Sequence, residues 1–268
     1  MPIKLLLVDL DDTLLGGDQT ISPANREALL LAAGRGVMVA LATGRMYQSA
    51  RPYAEELALT LPVIAYNGAL ARPLSGPPLW HQPLANGVAR ALLARLARYD
   101  VTVNLYLEDE LYVARLDERA AAYAANTRVR AIPVGDLGAF LGRRRPTKLL
   151  AIGRPETVTA LRLRLGEEFR GRAEIVPSKP AYLEIMAPGV TKGAALARLA
   201  SGLGIARDET MAVGDGPNDL GMLAWAGIGV AVGNAAPEVL AAAARVVAPS
   251  GRDGVAEAVR RFILEDRG

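Results

Sequence analysis

Three carboxylates close the first apolar run of the chain: Asp9, Asp11 and Asp12 in Val8-Asp9-Leu10-Asp11-Asp12-Thr13-Leu14. Apart from Lys4, the preceding Ile3–Val8 is continuously apolar, which predicts a buried strand of a parallel sheet. Acids at the carboxyl end of such a strand lie in the crevice where open α/β sheets take ligands. Like charges this close repel unless a cation neutralises them. An Asp-x-Asp alone reads equally well as a helix cap or a solvated loop, so its meaning depends on partners. Thr43 and Arg45 follow the second strand, Lys192 opens a helix near Thr191, and Gly214-Asp215-Gly216-Pro217-Asn218-Asp219 follows a late strand. Oxygen-only acidic ligands suit Mg²⁺, which Asp9 and Asp215 would hold, relieving the clustered charge. A hydroxyl (Thr43), an ammonium (Lys192), turn amides and a metal are the donors that a transferring phosphoryl group needs. A carboxylate nucleophile in line with that group gives an aspartyl-phosphate.

The elements that must position these residues follow a parallel rhythm. Ser22-Pro23 caps a helix over Ala24–Arg35 that Gly36 closes; strand Val37–Leu41, helix Tyr47–Leu59 and strand Val63–Tyr66, ending at Asn67-Gly68, come next. Right-handed crossovers predict that these three strand ends open on one edge of the sheet. Arg72-Pro73-Leu74-Ser75-Gly76-Pro77-Pro78 is a cluster of breakers that reads as a hairpin turn leading to a hinge. Beyond it, helical patterns at 87–99, 117–126 and 156–169 alternate with strands near 101–107, 111–114, 129–133, 148–152, 174–176 and 181–186, as in an α+β cap. After a second hinge, Ala187-Pro188-Gly189, the rhythm returns with helices at 192–202, 218–226, 237–244 and 254–264 and strands at 210–213, 228–232 and 245–247. The expected fold is α/β: a doubly wound, Rossmann-like parallel-sheet core over residues 1–82 and 188–268, interrupted by an inserted α+β cap over 83–187.

Composition narrows the chemistry further. With no cysteine and one histidine, His81, the inventory excludes disulfides, thiolate sites, cysteine nucleophiles and multi-histidine metal centres. A net charge of +3, spread over 31 basic and 28 acidic residues, argues against a nucleic-acid surface and leaves small phosphorylated molecules as partners. No run approaches the ~20 apolar residues that span a bilayer, and Met-Pro-Ile-Lys leads directly into the first strand, so no membrane partner and a cytoplasmic location are expected. A monomer or small homo-oligomer is expected.

Together the motifs resemble those of the haloacid dehalogenase superfamily of phosphatases, in its Cof-type, sugar-phosphatase-like branch with a cap after the third strand. The resemblance spans nearly the whole chain. It rests on Asp9-Leu10-Asp11-Asp12-Thr13-Leu14, Ala42-Thr43-Gly44-Arg45, Asn67-Gly68-Ala69, Thr191-Lys192-Gly193, Gly214-Asp215-Gly216-Pro217-Asn218-Asp219-Leu220-Gly221-Met222-Leu223, Gly229–Ala235 and Asp253-Gly254-Val255. It implies a Mg²⁺-dependent phosphoric monoester hydrolase acting on a small phosphorylated metabolite, a sugar or polyol phosphate, with Asp9 as nucleophile. Asp11 would be the general acid, then the general base, with its backbone carbonyl on the metal. Asp215 would be a metal ligand, and Asp219 a ligand or an orienting carboxylate. Thr43, with Gly44, Arg45 and Asn67 around it, would hold the phosphoryl group; Lys192 would neutralise charge, and Asn218 would contact phosphate or Lys192.

One position departs from the pattern: the residue after the second Asp is commonly Gly, and here it is Asp12. Asp tolerates left-handed backbone better than most residues, so the turn is expected to survive. A sugar phosphomutase would share the nucleophile and metal site, and a phospho-aspartate regulatory protein would share the acids and lysine, although the latter needs neither Asp11 nor a cap. Read singly, His81 is a hinge or surface residue, Arg143-Arg144-Arg145 a solvated run, and Tyr182 and Glu184 face the solvent side of a cap strand.

Overall fold

In the computed structural model, which describes residues 2–265, Leu5–Val8 forms strand β1 with all four side chains fully buried. Residue 1 and residues 266–268 of the expected core lie outside the described range. Helix α1 (Pro23–Gly34) starts where the Ser22 hydroxyl accepts the Asn25 N–H, and it leads to β2 (Met38–Leu41), α2 (Tyr47–Glu56) and β3 (Val63–Ala65). Short strands β4 (Leu70–Arg72) and β5 (Trp80–His81) precede the cap. The cap contains α3 (Asn86–Leu96), β6 (Val101–Leu107), β7 (Glu110–Val113), α4 (Glu118–Thr127), β8 (Ala131–Pro133), α5 (Leu137–Leu141), β9 (Lys148–Gly153), α6 (Pro155–Glu168), β10 (Glu174–Lys179) and β11 (Tyr182–Met186). The chain then returns through α7 (Lys192–Leu203), β12 (Thr210–Gly214), α8 (Leu220–Trp225), β13 (Ile228–Val232), α9 (Pro237–Ala242), β14 (Arg245–Val247) and α10 (Gly254–Val259).

The core sheet is parallel, in the order β14-β13-β12-β1-β2. From β1 the chain steps outward to β2, and later strands are laid down on the other side, so the order reverses between β1 and β12. Such a reversal opens a crevice at the carboxyl ends of the two strands. Register sets its contents: Val8 pairs with both Val213 and Leu41, so Asp9, Gly214 and Ala42 emerge level at one edge. Period-two alternation fills both faces. Leu6 and Val8 join a cluster with Leu29 and Val255, while Leu5 and Leu7 pack with Leu196, Leu199 and Leu223.

The third strand corrects an expectation. Rather than extending the parallel sheet as a full strand, β3 pairs antiparallel with β4 in a separate three-stranded sheet, and its parallel pairing with the core is reduced to one bridge from Ile64 to Ala42, although its side chains pack into the core clusters. The breakers at 72–78 do form a hairpin turn, between β4 and the antiparallel β5, whereas helix α5 was not expected. Helix α2 stops at Glu56 instead of Leu59, with Ala58 at φ +49°, and the 218–226 helix starts only at Leu220, after a tight turn over Pro217–Asp219.

The cap sheet, β10-β11-β9-β6-β7-β8, is antiparallel except for the β7–β8 pair. One face packs Leu105, Leu149 and Leu183 under α3 and α6 through Leu92, Leu96, Leu161 and Leu165. The other carries Tyr106, Leu150 and α4, and merges with the core cluster. Asp109, in the β6–β7 turn, accepts the Tyr47 and Gln48 N–H groups (3.0 and 3.1 Å), so a cap residue supplies the N-terminal cap that Met46 cannot give α2. Among the described residues no helix is long and apolar enough to cross a membrane.

Candidate active site

The crevice between β1 and β12 is organised by one buried ammonium. Thr191 caps α7 by accepting the Ala194 N–H at 3.0 Å, which fixes Lys192 in the first turn. Lys192 Nζ donates to Asp9 Oδ1 at 2.5 Å and to Asp219 Oδ1 at 2.6 Å, and all three residues are buried. A lysine there opposes the helix dipole, and the two carboxylates compensate. Burial alone would lower the Lys192 pKa, but Asp219 and Asp9 outweigh it and hold it above its ordinary range. The other oxygen of Asp219 accepts the N–H groups of Asp215 and Gly216, both at 3.0 Å. Both oxygens of Asp219 are therefore engaged, in holding Lys192 and the 215–216 turn. Gly214 is required at this turn, because a Cβ there would lie 2.6 Å from the Asp219 Cγ.

Asp215 accepts the Thr13 hydroxyl at 2.8 Å. Burial, reinforced by the Asp219 carboxylate, pushes its pKa up to about 7. Asp9 is also raised, by burial and by the Asp219, Asp215 and Asp11 carboxylates, against the pull of Lys192. Carboxylate oxygens of Asp9, Asp215 and Asp219 approach within 4.8 Å of one another. Among the described residues, the hydrogen bonds on Asp9 and Asp215 engage one oxygen of each, leaving the second free for a cation. A buried and a half-buried carboxylate, both incompletely satisfied, in an oxygen-only set fit a small hard divalent ion.

Asp11 turns elsewhere. Arg45 Nε donates to its Oδ2 at 2.9 Å and Arg45 Nη2 to its Oδ1 at 2.6 Å, a bidentate fork. Burial would raise the Asp11 pKa, yet the hydrogen bonds and charge of Arg45 outweigh it and hold it below the usual carboxylate range. Asp12 takes the left-handed conformation, φ +59° and ψ 6°, so the turn survives without Gly. Its carboxylate meets Lys179 of the cap at 2.7 Å.

The phosphate-loop candidates lie beside these acids. Thr43 is fully buried; its hydroxyl accepts the Arg45 N–H at 3.1 Å and keeps its own hydrogen to donate. Asn67, at φ +56°, accepts the Asn218 amide at 2.9 Å, so Asn218 is held by Asn67 and Lys192 by the carboxylates. Gly44, Arg45, Asp9, Asp11, Asp215 and Asn218 line a cleft that the cap closes with Tyr123, Lys179, Tyr182 and Glu184. Tyr182 and Glu184 therefore face the crevice and not solvent, since the cap sheet turns this face to the core. His81, on β5, bonds Thr147 Oγ1 of the cap at 2.9 Å, and Arg145 donates to the Pro83 carbonyl, away from the cleft.

Residues 6–259 match the model of the haloacid dehalogenase-like hydrolases. The chain belongs to this family. The 5-amino-6-(5-phospho-D-ribitylamino)uracil phosphatase YitU of Bacillus subtilis (strain 168) is 32% identical over 266 residues, covering 96% of this chain and 97% of the relative. A haloacid dehalogenase-like hydrolase from Bacteroides thetaiotaomicron has the same fold with a TM-score of 0.85, at 30% identity over 97% of this chain and 100% of that one. The subclass IIB sugar phosphatase BT4131 gives 0.86 at 26% identity, over 97% and 98%.

This haloacid dehalogenase-like hydrolase is a phosphoric monoester hydrolase, with four groups at the site to which the motifs gave no role. Thr13 steadies Asp215, and Lys148, Lys179 and Glu184 come from the cap. The available signal was a charge inside an apolar strand, Lys148 in Lys-Leu-Leu-Ala-Ile and Glu184 in Tyr-Leu-Glu-Ile-Met. Few charged side chains are buried without a partner or a task.

Proposed function

We propose that the chain is a Mg²⁺-dependent phosphatase of a small phosphorylated metabolite, a sugar or polyol phosphate, working through an aspartyl-phosphate on Asp9. The observation that carries this reading is the buried Asp9 carboxylate, held at 2.5 Å by Lys192 and gathered with Asp215 and Asp219. In this reading residues 1–82 and 188–268 perform the chemistry and the cap, 83–187, encloses the leaving group. A relative named for a phosphoribitylamino substrate and a structural neighbour named as a sugar phosphatase support the substrate class.

An Asp9 oxygen attacks phosphorus, the bond to the leaving oxygen breaks, and that oxygen takes the Asp11 proton. Asp11 then removes a proton from a water that attacks the phosphorus of the aspartyl-phosphate, which frees inorganic phosphate and the Asp9 carboxylate. Thr43 donates to a phosphoryl oxygen, and Lys192 neutralises charge on nucleophile and phosphate. Asp9, Asp215 and the Asp11 carbonyl would hold Mg²⁺, with Asp219 fixing the turn behind them; the ion would supply positive charge to the phosphoryl oxygens. Phosphate release from an aryl phosphate, with and without Mg²⁺, tests the reading. Release that depends on the ion and is lost in Asp9→Asn is expected, and an Asp9→Asn protein with wild-type activity contradicts it.

A further inference from the structure

Lys148 begins a cap strand, yet its ammonium ends against the core. The residue is fully buried, and Nζ donates to the Gly44 carbonyl at 2.5 Å and pairs with Glu184 Oε2 at 2.8 Å. The Tyr106 ring lies 4.6 Å away and the Tyr66 ring 5.8 Å. Glu184 pairs with Leu150, so it stands diagonally from Lys148 on the neighbouring strand and the same face. Its other oxygen accepts the Ser178 hydroxyl at 2.8 Å, which fixes the carboxylate that seats the lysine. A buried ammonium persists only when its partners are in place. One partner here belongs to the cap and one to the phosphate loop.

The loop carbonyls show what this contact controls. The Asn67 N–H holds the Thr43 carbonyl and the Tyr66 N–H holds the Arg45 carbonyl, each at 2.9 Å and each from the core. Between them, Gly44 is held by Lys148. The Gly44 carbonyl shares a planar peptide with the Arg45 N–H, and that N–H donates to the Thr43 hydroxyl. Holding one end of the plane therefore aims the other. We propose that Lys148, seated by Glu184, is a positioning residue for phosphoryl binding: through the Gly44–Arg45 peptide it orients the Thr43 hydroxyl and ties the phosphate loop to the docked cap. The proposal rests on the functional reading above, in which Thr43 holds the phosphoryl group.

The discriminating readout is the inhibition constant of inorganic phosphate, which has no leaving group for the cap to touch. In Lys148→Met this constant rises about tenfold, and kcat/KM for an aryl phosphate falls about a hundredfold. Glu184→Gln moves both in the same direction by less, and the double variant is no worse than Lys148→Met because Glu184 acts through the lysine. An unchanged phosphate constant in Lys148→Met overturns the proposal, even if aryl phosphate turnover falls, since that would make Lys148 a leaving-group contact. Additive losses in the double variant overturn it too. If Lys148→Met does not fold, Lys148→Arg carries the test, because it keeps the charge but displaces the donor from Gly44: a weaker phosphate constant supports the proposal and an unchanged one overturns it. Wild-type protein that neither turns over the aryl phosphate nor is inhibited by phosphate would overturn the functional reading, and this proposal with it.

Discussion

Arg45 grips Asp11 by both oxygens, at 2.9 and 2.6 Å. The fork stabilises the ionised carboxylate, whereas a general acid must carry a proton, so in the role proposed for it Asp11 would have to leave Arg45 before protonating a leaving group. In the proposed mechanism, a phosphoryl group entering beside Arg45 would offer the guanidinium another anion and release Asp11 for that step.

Replacing Arg45 with Met removes the influence that lowers the Asp11 pKa. The high-pH limb of the kcat/KM profile, which reports the free enzyme, then moves to higher pH. Stability follows the opposite sense. A depressed carboxylate pKa contributes stability above the unfolded value of about 3.9 that is lost as pH falls through the folded value. The variant is therefore the less stable protein at neutral pH, and the gap closes in acid. Denaturant melts across that range and a kcat/KM–pH profile check both.

Asp215 predicts the reverse slope in the metal-free protein. Its pKa is pushed up to about 7 by burial and by Asp219, so the folded state binds the proton more tightly than the unfolded chain. Its contribution is present below the unfolded value of about 3.9 and is lost as pH rises to about 7. A cation competes with that proton, so Mg²⁺ binds more tightly as pH rises through this window. The rise in Tm on adding Mg²⁺ should be larger above pH 7 than below it, and an equal rise at both contradicts the assignment.

Asp219 and Asp9 both touch Lys192 but should differ on mutation. Asp219→Ala strips Lys192 of one partner and orphans the Asp215 and Gly216 N–H groups, costing about 3 kcal/mol. Asp9→Asn keeps an acceptor for Lys192 and removes one charge from a crowded set, so the metal-free protein at neutral pH is as stable as wild type to within about 1 kcal/mol. Urea midpoints separate the two cases.

Asp12 sets a left-handed turn against a cap contact. Asp12→Gly relieves a backbone cost of about 1 kcal/mol and loses a half-exposed ion pair to Lys179 worth about 0–1 kcal/mol, so stability stays level or rises slightly. Asp12→Ala loses the pair and keeps the strain, and falls by about 1 kcal/mol. A Gly variant less stable than the Ala variant in denaturant melts would contradict this account of the turn.

The core half of the site was legible because each group sits where local sequence announces an element end. Asp9 and Asp215 stop apolar strands, Thr43 follows another, and Lys192 follows a capping Thr191. Parallel register then places those ends at one edge. The cap half depends on docking. The contact from Lys148 to Gly44 joins residues 104 positions apart, and no periodicity encodes it. Alternation in β11 separates Tyr182 and Glu184 from Leu183, but it cannot say which face is covered by another domain. For β3 the ambiguity was pairing: three apolar residues fit a parallel or an antiparallel partner, and Leu70–Arg72 close behind made the antiparallel one available.

The central claim is that Asp9 carries the phosphoryl group. Acid quenching during turnover of an aryl phosphate, followed by peptide mass analysis, tests it directly. The account predicts one added phosphoryl group on the peptide containing Asp9 and none in Asp9→Asn; turnover with that peptide unmodified throughout, or with the group on another residue, would contradict it.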